Sequence, residues 1–109
     1  MKLITKAIKD ALPAIYSTDG VPLEKKKVIC KFFTPDSNWA WYVFEGKPIE
    51  DKKDLFFFGM VHGFEKELGY FQLSQLKSVR GKLGLPLERD LSVFKKTYGE
   101  LMKRVGESA

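Results

Sequence analysis

The chain carries one histidine and one cysteine, His62 and Cys30, and these bound the nucleophilic chemistry open to it. A thiol activated by an imidazole needs both groups within hydrogen-bond reach. Residues 30 and 62 lie in different apolar runs, so only the tertiary fold can bring them together. The plain reading is a half-buried thiol between Ile29 and Lys31, and a core or edge histidine on the strand face of Phe56, Phe58 and Met60. Arg80 and Arg89 offer a second chemistry, a guanidinium fork for a phosphate or carboxylate. Against it, Arg89 sits between Glu88 and Asp90, and an arginine flanked by acids pairs locally. The turn Pro35-Asp36-Ser37-Asn38 leads into Trp39-Ala40-Trp41 and offers a third. Its plain reading is turn chemistry, with Asp36 and Asn38 bonding to their own backbone, followed by two core tryptophans. Its sharper reading is an exposed-strand platform, since tryptophan dominates interface hot spots.

Other constellations are missing from the sequence. Gly59-Met60-Val61-His62-Gly63 lacks the Lys-Ser/Thr ending of a phosphate loop. No Cys/His spacing suits structural zinc. Glu65 and Glu67 alternate along a strand, but a carboxylate pair needs tertiary proximity. A small hydrolase on Asp36, His62, Glu67 or Arg80 would require these to converge on one cleft. No catalytic residue, cofactor or metal is expected.

The elements that must position these residues fit one domain. The 109 residues are 44% apolar and 30% charged, with nine Phe, four Tyr and two Trp. This excludes a mostly disordered chain, and one cysteine excludes a disulfide scaffold. The net charge of +5 is spread along the chain, with Lys25-Lys26-Lys27 as a solvated loop run. A dedicated nucleic-acid binder concentrates its charge on one face. The N-terminus has no apolar signal region and no segment reaches the length of a membrane span. The unpaired cysteine fits a reducing cytoplasm, the expected location.

Helical spacing of Ile4, Ile8, Ala11 and Ile15 predicts a helix over 3–16, capped by Thr5 and ended or kinked before Pro13. Beta formers predict strands over 28–33, 39–44, 55–62 and 67–73, with 45–54 as a polar loop. Ser74 would cap a short helix over 75–79. Residues 87–91 would be extended. Ser92 would cap a final helix with the stripe Phe94, Tyr98, Leu101, Met102 and Val105. The second and third strands are apolar on both faces, so both faces must be covered. Two helices could cover one face each, or both could share one face and leave the other for a partner or a second copy of the chain. The fold class is α+β. A mostly antiparallel sheet of four or five strands carries N- and C-terminal helices and a short helix after strand four.

Several blocks have a recognisable order and spacing. They are Lys31-Phe32-Phe33-Thr34-Pro35-Asp36-Ser37-Asn38-Trp39-Ala40-Trp41-Tyr42, Phe57-Phe58-Gly59, Glu67-Leu68-Gly69-Tyr70-Phe71, Ser78-Val79-Arg80-Gly81 and Leu85-Pro86-Leu87-Glu88-Arg89-Asp90. With Leu3-Ile4-Thr5-Lys6 and Leu12-Pro13 they resemble the bacterial domain of unknown function 2958 over residues 1–93. Residues 94–109 lie outside the resemblance. It implies a small cytoplasmic protein of plasmids, integrative elements and phages, near anti-restriction and conjugation genes. The functional expectation is a non-enzymatic accessory protein that docks on a protein partner, in mobile-element maintenance or counter-defence. The alternative is nucleic-acid binding through basic residues and exposed aromatics. A homodimer is the other association considered. The candidate binding residues are Asp36, Trp39, Trp41, Tyr70, Arg80 and Arg89.

Overall fold

Thr5 opens the first helix: in the computed structural model, which describes residues 2–50 and 53–104, its hydroxyl accepts the Ile8 N–H at 3.2 Å. This helix, α1 (Lys6–Ala11), ends at Leu12, whose ψ of 119° is the conformation a following proline enforces. It is shorter than the spacing predicted, because Leu3 and Ile4 pack against the core from outside the helix.

The strands are β1 (Lys27–Val28), β2 (Cys30–Phe33), β3 (Ala40–Ile49), β4 (Asp54–His62), β5 (Lys66–Gln72), β6 (Glu88–Arg89) and β7 (Lys96–Thr97). Five make one antiparallel sheet in the order β5-β4-β3-β2-β6. β1 and β7 form a separate two-stranded ribbon that the sequence did not announce. The architecture is α+β, with helices near both ends of the chain and α2 (Leu73–Ser78) after the fourth strand of the meander.

Three expectations are corrected. The polar stretch from Glu45 is not a loop: β3 continues through it to Ile49, paired with Asp54–Phe58 of β4. An extra residue, Phe44, bulges between Val43 and Glu45 and turns both side chains inward. The buried Glu45 carboxylate then accepts the N–H groups of Tyr16 at 2.7 Å and Thr18 at 3.1 Å, and the Thr18 hydroxyl. The loop character of this polar stretch is overridden by strand pairing and by a carboxylate that anchors another segment. Ser74 does not cap α2, which begins at Leu73. Gln75 reaches back to accept the Gln72 N–H at 2.8 Å, and Asp54 accepts that of Ser74 at 2.9 Å. Ser92 does not cap the last helix, because its N–H and hydroxyl both go to Asp90. The last helix, α3 (Tyr98–Arg104), starts six residues later, from Thr97. The Thr97 hydroxyl accepts the Glu100 N–H at 3.2 Å and Glu100 accepts the Thr97 N–H at 3.2 Å, a reciprocal cap. Phe94 therefore stands outside the helix and half exposed, and Val105 lies outside the described residues.

Each face of the sheet has its own cover. Phe32, Trp41, Val43, Phe57 and Phe71 pack under Ile8 of α1, Leu73 and Leu76 of α2, and Leu87. On the other face Tyr42, Phe44 and Met60 pack under Tyr98, Leu101 and Met102 of α3. This is the arrangement with one helical layer per face.

Candidate functional site

Thr34 fixes the turn that presents the tryptophans. Its N–H donates to the Trp39 carbonyl and its hydroxyl accepts the Trp39 N–H, both at 3.0 Å. Trp41 is buried in the core, while Trp39 is half buried, its ring centroid 5.8 Å from that of Trp41. The Trp39 ring lies over Gly63, where any Cβ would come within 2.3 Å of it. Phe64 meets its ring edge-on at 5.3 Å and is almost fully exposed. The plain and sharp readings divide between the two tryptophans: Trp41 is core, and Trp39 also faces outward.

Asp36 does not bond to its own turn. Its Oδ2 crosses to the loop after α2 and accepts the N–H groups of Leu83 at 2.7 Å and Leu85 at 3.3 Å. Oδ1 is buried against Gly81, where a Cβ would sit 1.5 Å away, and has no hydrogen-bond partner among the described residues. Asp36 therefore holds residues 81–85 against the hairpin, and Leu83 is carried outward, 80% exposed. Arg80 donates from one terminal nitrogen to the carbonyls of Lys77 at 2.9 Å and Val79 at 2.8 Å, and so ties itself to the end of α2.

Between these parts lies a groove of about 450 Å³. Trp39, Trp41 and Val79 give it apolar surface, Thr34 and Ser37 give it hydroxyls, and Arg80 and Lys82 give it positive charge. No carboxylate lines it among the described residues.

Four of the six candidate residues, Asp36, Trp39, Trp41 and Arg80, come together here. The other two do not. Tyr70 faces the opposite side of the sheet, stacked on Phe56 at 5.2 Å and beside Phe58 at 5.1 Å. A side-chain hydrogen bond with Tyr16 raises its phenol pKa. Arg89 sits on β6 and donates to the Lys2 carbonyl at 2.5 Å. The two arginines are bound to different segments, so the fork is not built. Asp90 accepts the N–H and hydroxyl of Ser92, faces Lys31 at 4.0 Å and lies near Arg104.

Cys30 and His62 lie on opposite faces of the sheet. Burial pushes the Cys30 thiol up to about 12, against the opposing charge of Arg89. His62 Nε2 meets the Tyr98 hydroxyl at 2.7 Å. The two make no nucleophile–base pair, and His62 and Glu67 stand away from the groove that Arg80 lines.

The sequence reading missed Phe64, Lys82 and Leu83. Two of them left a trace: an apolar side chain in a glycine-bearing turn, Gly63-Phe64 and Leu83-Gly84, has no burial to gain there.

A family model described as protein of unknown function (DUF2958) matches residues 3–101. The chain belongs to this family. The match takes in β7 and the first turn of α3, beyond the residues that carried the resemblance. No curated protein and no solved structure matches the chain. Among the described residues, no helix is long and apolar enough to cross a membrane. In this family member the groove holds an aromatic surface beside two cations.

Proposed function

We propose that the protein is a non-enzymatic docking module whose Trp39 groove takes an acidic segment of a partner protein carrying an apolar anchor. One observation carries this reading: Trp39 and Trp41 lie beside Arg80 and Lys82 in a groove that no carboxylate lines among the described residues. Tryptophan and arginine supply most interface hot spots. Trp39 is held by Thr34, Trp41 and Gly63, so little ordering remains to be done on binding. The cations select an acidic segment and speed its encounter. The resemblance to mobile-element proteins makes components of restriction or conjugation systems the partners to test first.

The experiment is a pull-down from the bacterial host, with and without nuclease, followed by cross-linking to map the partner's contact segment. The expected result is a partner that survives nuclease, is lost with Trp39→Ala and Lys82→Glu, is kept with Lys103→Glu, and cross-links through an acidic segment. Recovery that collapses with nuclease, together with oligonucleotide affinity falling steeply with salt, would replace it by nucleic-acid binding. A partner lost equally with Lys103→Glu would remove the groove from the reading. Self-association alone, seen by sedimentation and abolished by Lys82→Glu, would make the occupant a second copy.

A further inference from the structure

A second and larger opening lies on the same sheet face, at the other end of α2. It encloses about 820 Å³, within the size range of small-ligand sites. Leu55, Leu73, Leu76 and Leu87 form its floor, each nearly or fully buried. Leu3 and Ile4, left outside α1, add an apolar wall. Around this sit Lys2, Lys6, Lys9, Lys53 and Lys77, all exposed. Among the described residues, the one carboxylate in the lining, Asp54, is already committed. Its Oδ1 accepts the N–H groups of Leu55 at 2.8 Å and Ser74 at 2.9 Å.

We propose that this cleft binds a single-chain anionic amphiphile of the fatty-acid class, its acyl chain along the leucine floor and its carboxylate among the rim lysines. The pairing of surfaces selects this chemistry. A neutral apolar molecule would use none of the rim's positive charge, of which only Lys6, paired with Asp10 at 2.6 Å, and Lys77, near Asp54, already have a carboxylate partner among the described residues. A small hydrophilic anion would leave the leucines uncovered. A docked partner helix is a poorer fit. α1 and α2 have six residues each, so each is about 9 Å long and could support less than two turns of a partner.

The test is displacement of the fluorescent fatty acid 11-(dansylamino)undecanoic acid from the full chain, with all competitors below their micelle thresholds. Affinity is expected to rise about twofold per methylene from decanoate to tetradecanoate. Complete burial of each methylene would give about fourfold, and this cleft is open on one side. Dodecanoate should bind at least tenfold more tightly than dodecanol or dodecyltrimethylammonium. The double variant Lys53→Gln/Lys77→Gln, in exposed side chains that leave the core intact, should lose at least fivefold for dodecanoate and little for dodecanol. Trp39→Ala should leave dodecanoate binding unchanged, which separates this site from the docking groove. Equal binding of dodecanoate and dodecanol would overturn the proposal. So would a flat chain-length series, or wild-type affinity in the lysine variant. Displacement by an acidic amphipathic peptide but not by dodecanoate would do the same and assign the cleft to a protein segment.

Discussion

The two faces of the sheet are closed by different means. On one, α3 delivers Tyr98, Leu101 and Met102 as a contiguous stripe. Tyr98 is fully buried, edge-on to Tyr42 at 5.4 Å and to Phe44 at 5.8 Å, with its hydroxyl on His62. On the other, the cover is assembled from α1, α2 and the segment around Leu87, short pieces that arrive from distant parts of the sequence. That stripe, with Val28 and Val93 beside it, covers the middle of its face, while Leu68 and Tyr70 on the β5 edge stay half exposed. Several short pieces leave seams, and the Trp39 groove and the lysine-rimmed cleft are both such seams. The groove's edge is also held by the Asp36 carboxylate, where the α3 face adds to its apolar contacts the one between the Tyr98 hydroxyl and His62.

The strongest way to break this comparison is to empty the core under α3. Tyr98→Ala should cost about 3–5 kcal/mol in urea unfolding, the range for deleting a large core aromatic. Ile8→Val, under the pieced cover, should cost only about 0.5–1.5 kcal/mol. Leu101→Ala and Leu76→Ala make the same deletion on the two faces, and equal losses there would show that the faces do not differ. Next in size is Glu45→Ala. It leaves the N–H groups of Tyr16 and Thr18 and the Thr18 hydroxyl without their acceptor, at about 2–3 kcal/mol. Glu45→Gln keeps an acceptor oxygen and should lose less, as read from the same unfolding curves.

Gly81→Ala sharpens the contrast between the two seams. The new methyl displaces Asp36, costs about 1–3 kcal/mol, and should free the Leu83 and Leu85 N–H groups for faster hydrogen exchange. It should weaken partner capture by the groove and leave dodecanoate binding at the cleft intact. The last effect is confined to alkaline pH and small at its onset: the pH dependence from Cys30. The unfolded thiol releases its proton near its ordinary value of 9.0, while the folded chain holds it to about 12. The folded state binds more protons across that window, so stability falls as pH rises through it and is unaffected below it. Cys30→Ala should flatten the stability–pH slope above 9.0 relative to the parent chain, measured by urea unfolding at stepped pH.

Much of the scaffold was legible in residues alone. Alternation through Trp39–Phe44 and Leu55–His62 placed both strands and assigned their faces, because a strand's side chains alternate by geometry. Thr5 and Pro13 marked the limits of α1 for local reasons of capping and sterics. The start of α3 was also written locally, in Thr97-Tyr98-Gly99-Glu100, although Ser92 drew the reading away from it. Other outcomes had no local signal. Glu45 and Asp36 are polar residues in polar stretches, and composition assigns them to solvent. Each instead accepts N–H groups from a segment 27 or more positions away. Whether Arg80 and Arg89 converge, whether Cys30 meets His62, and which tryptophan faces outward depend on how β6, α2 and the hairpin turns pack together. Periodicity carries the direction of a side chain within its own element, and only the tertiary structure sets which distant element stands opposite.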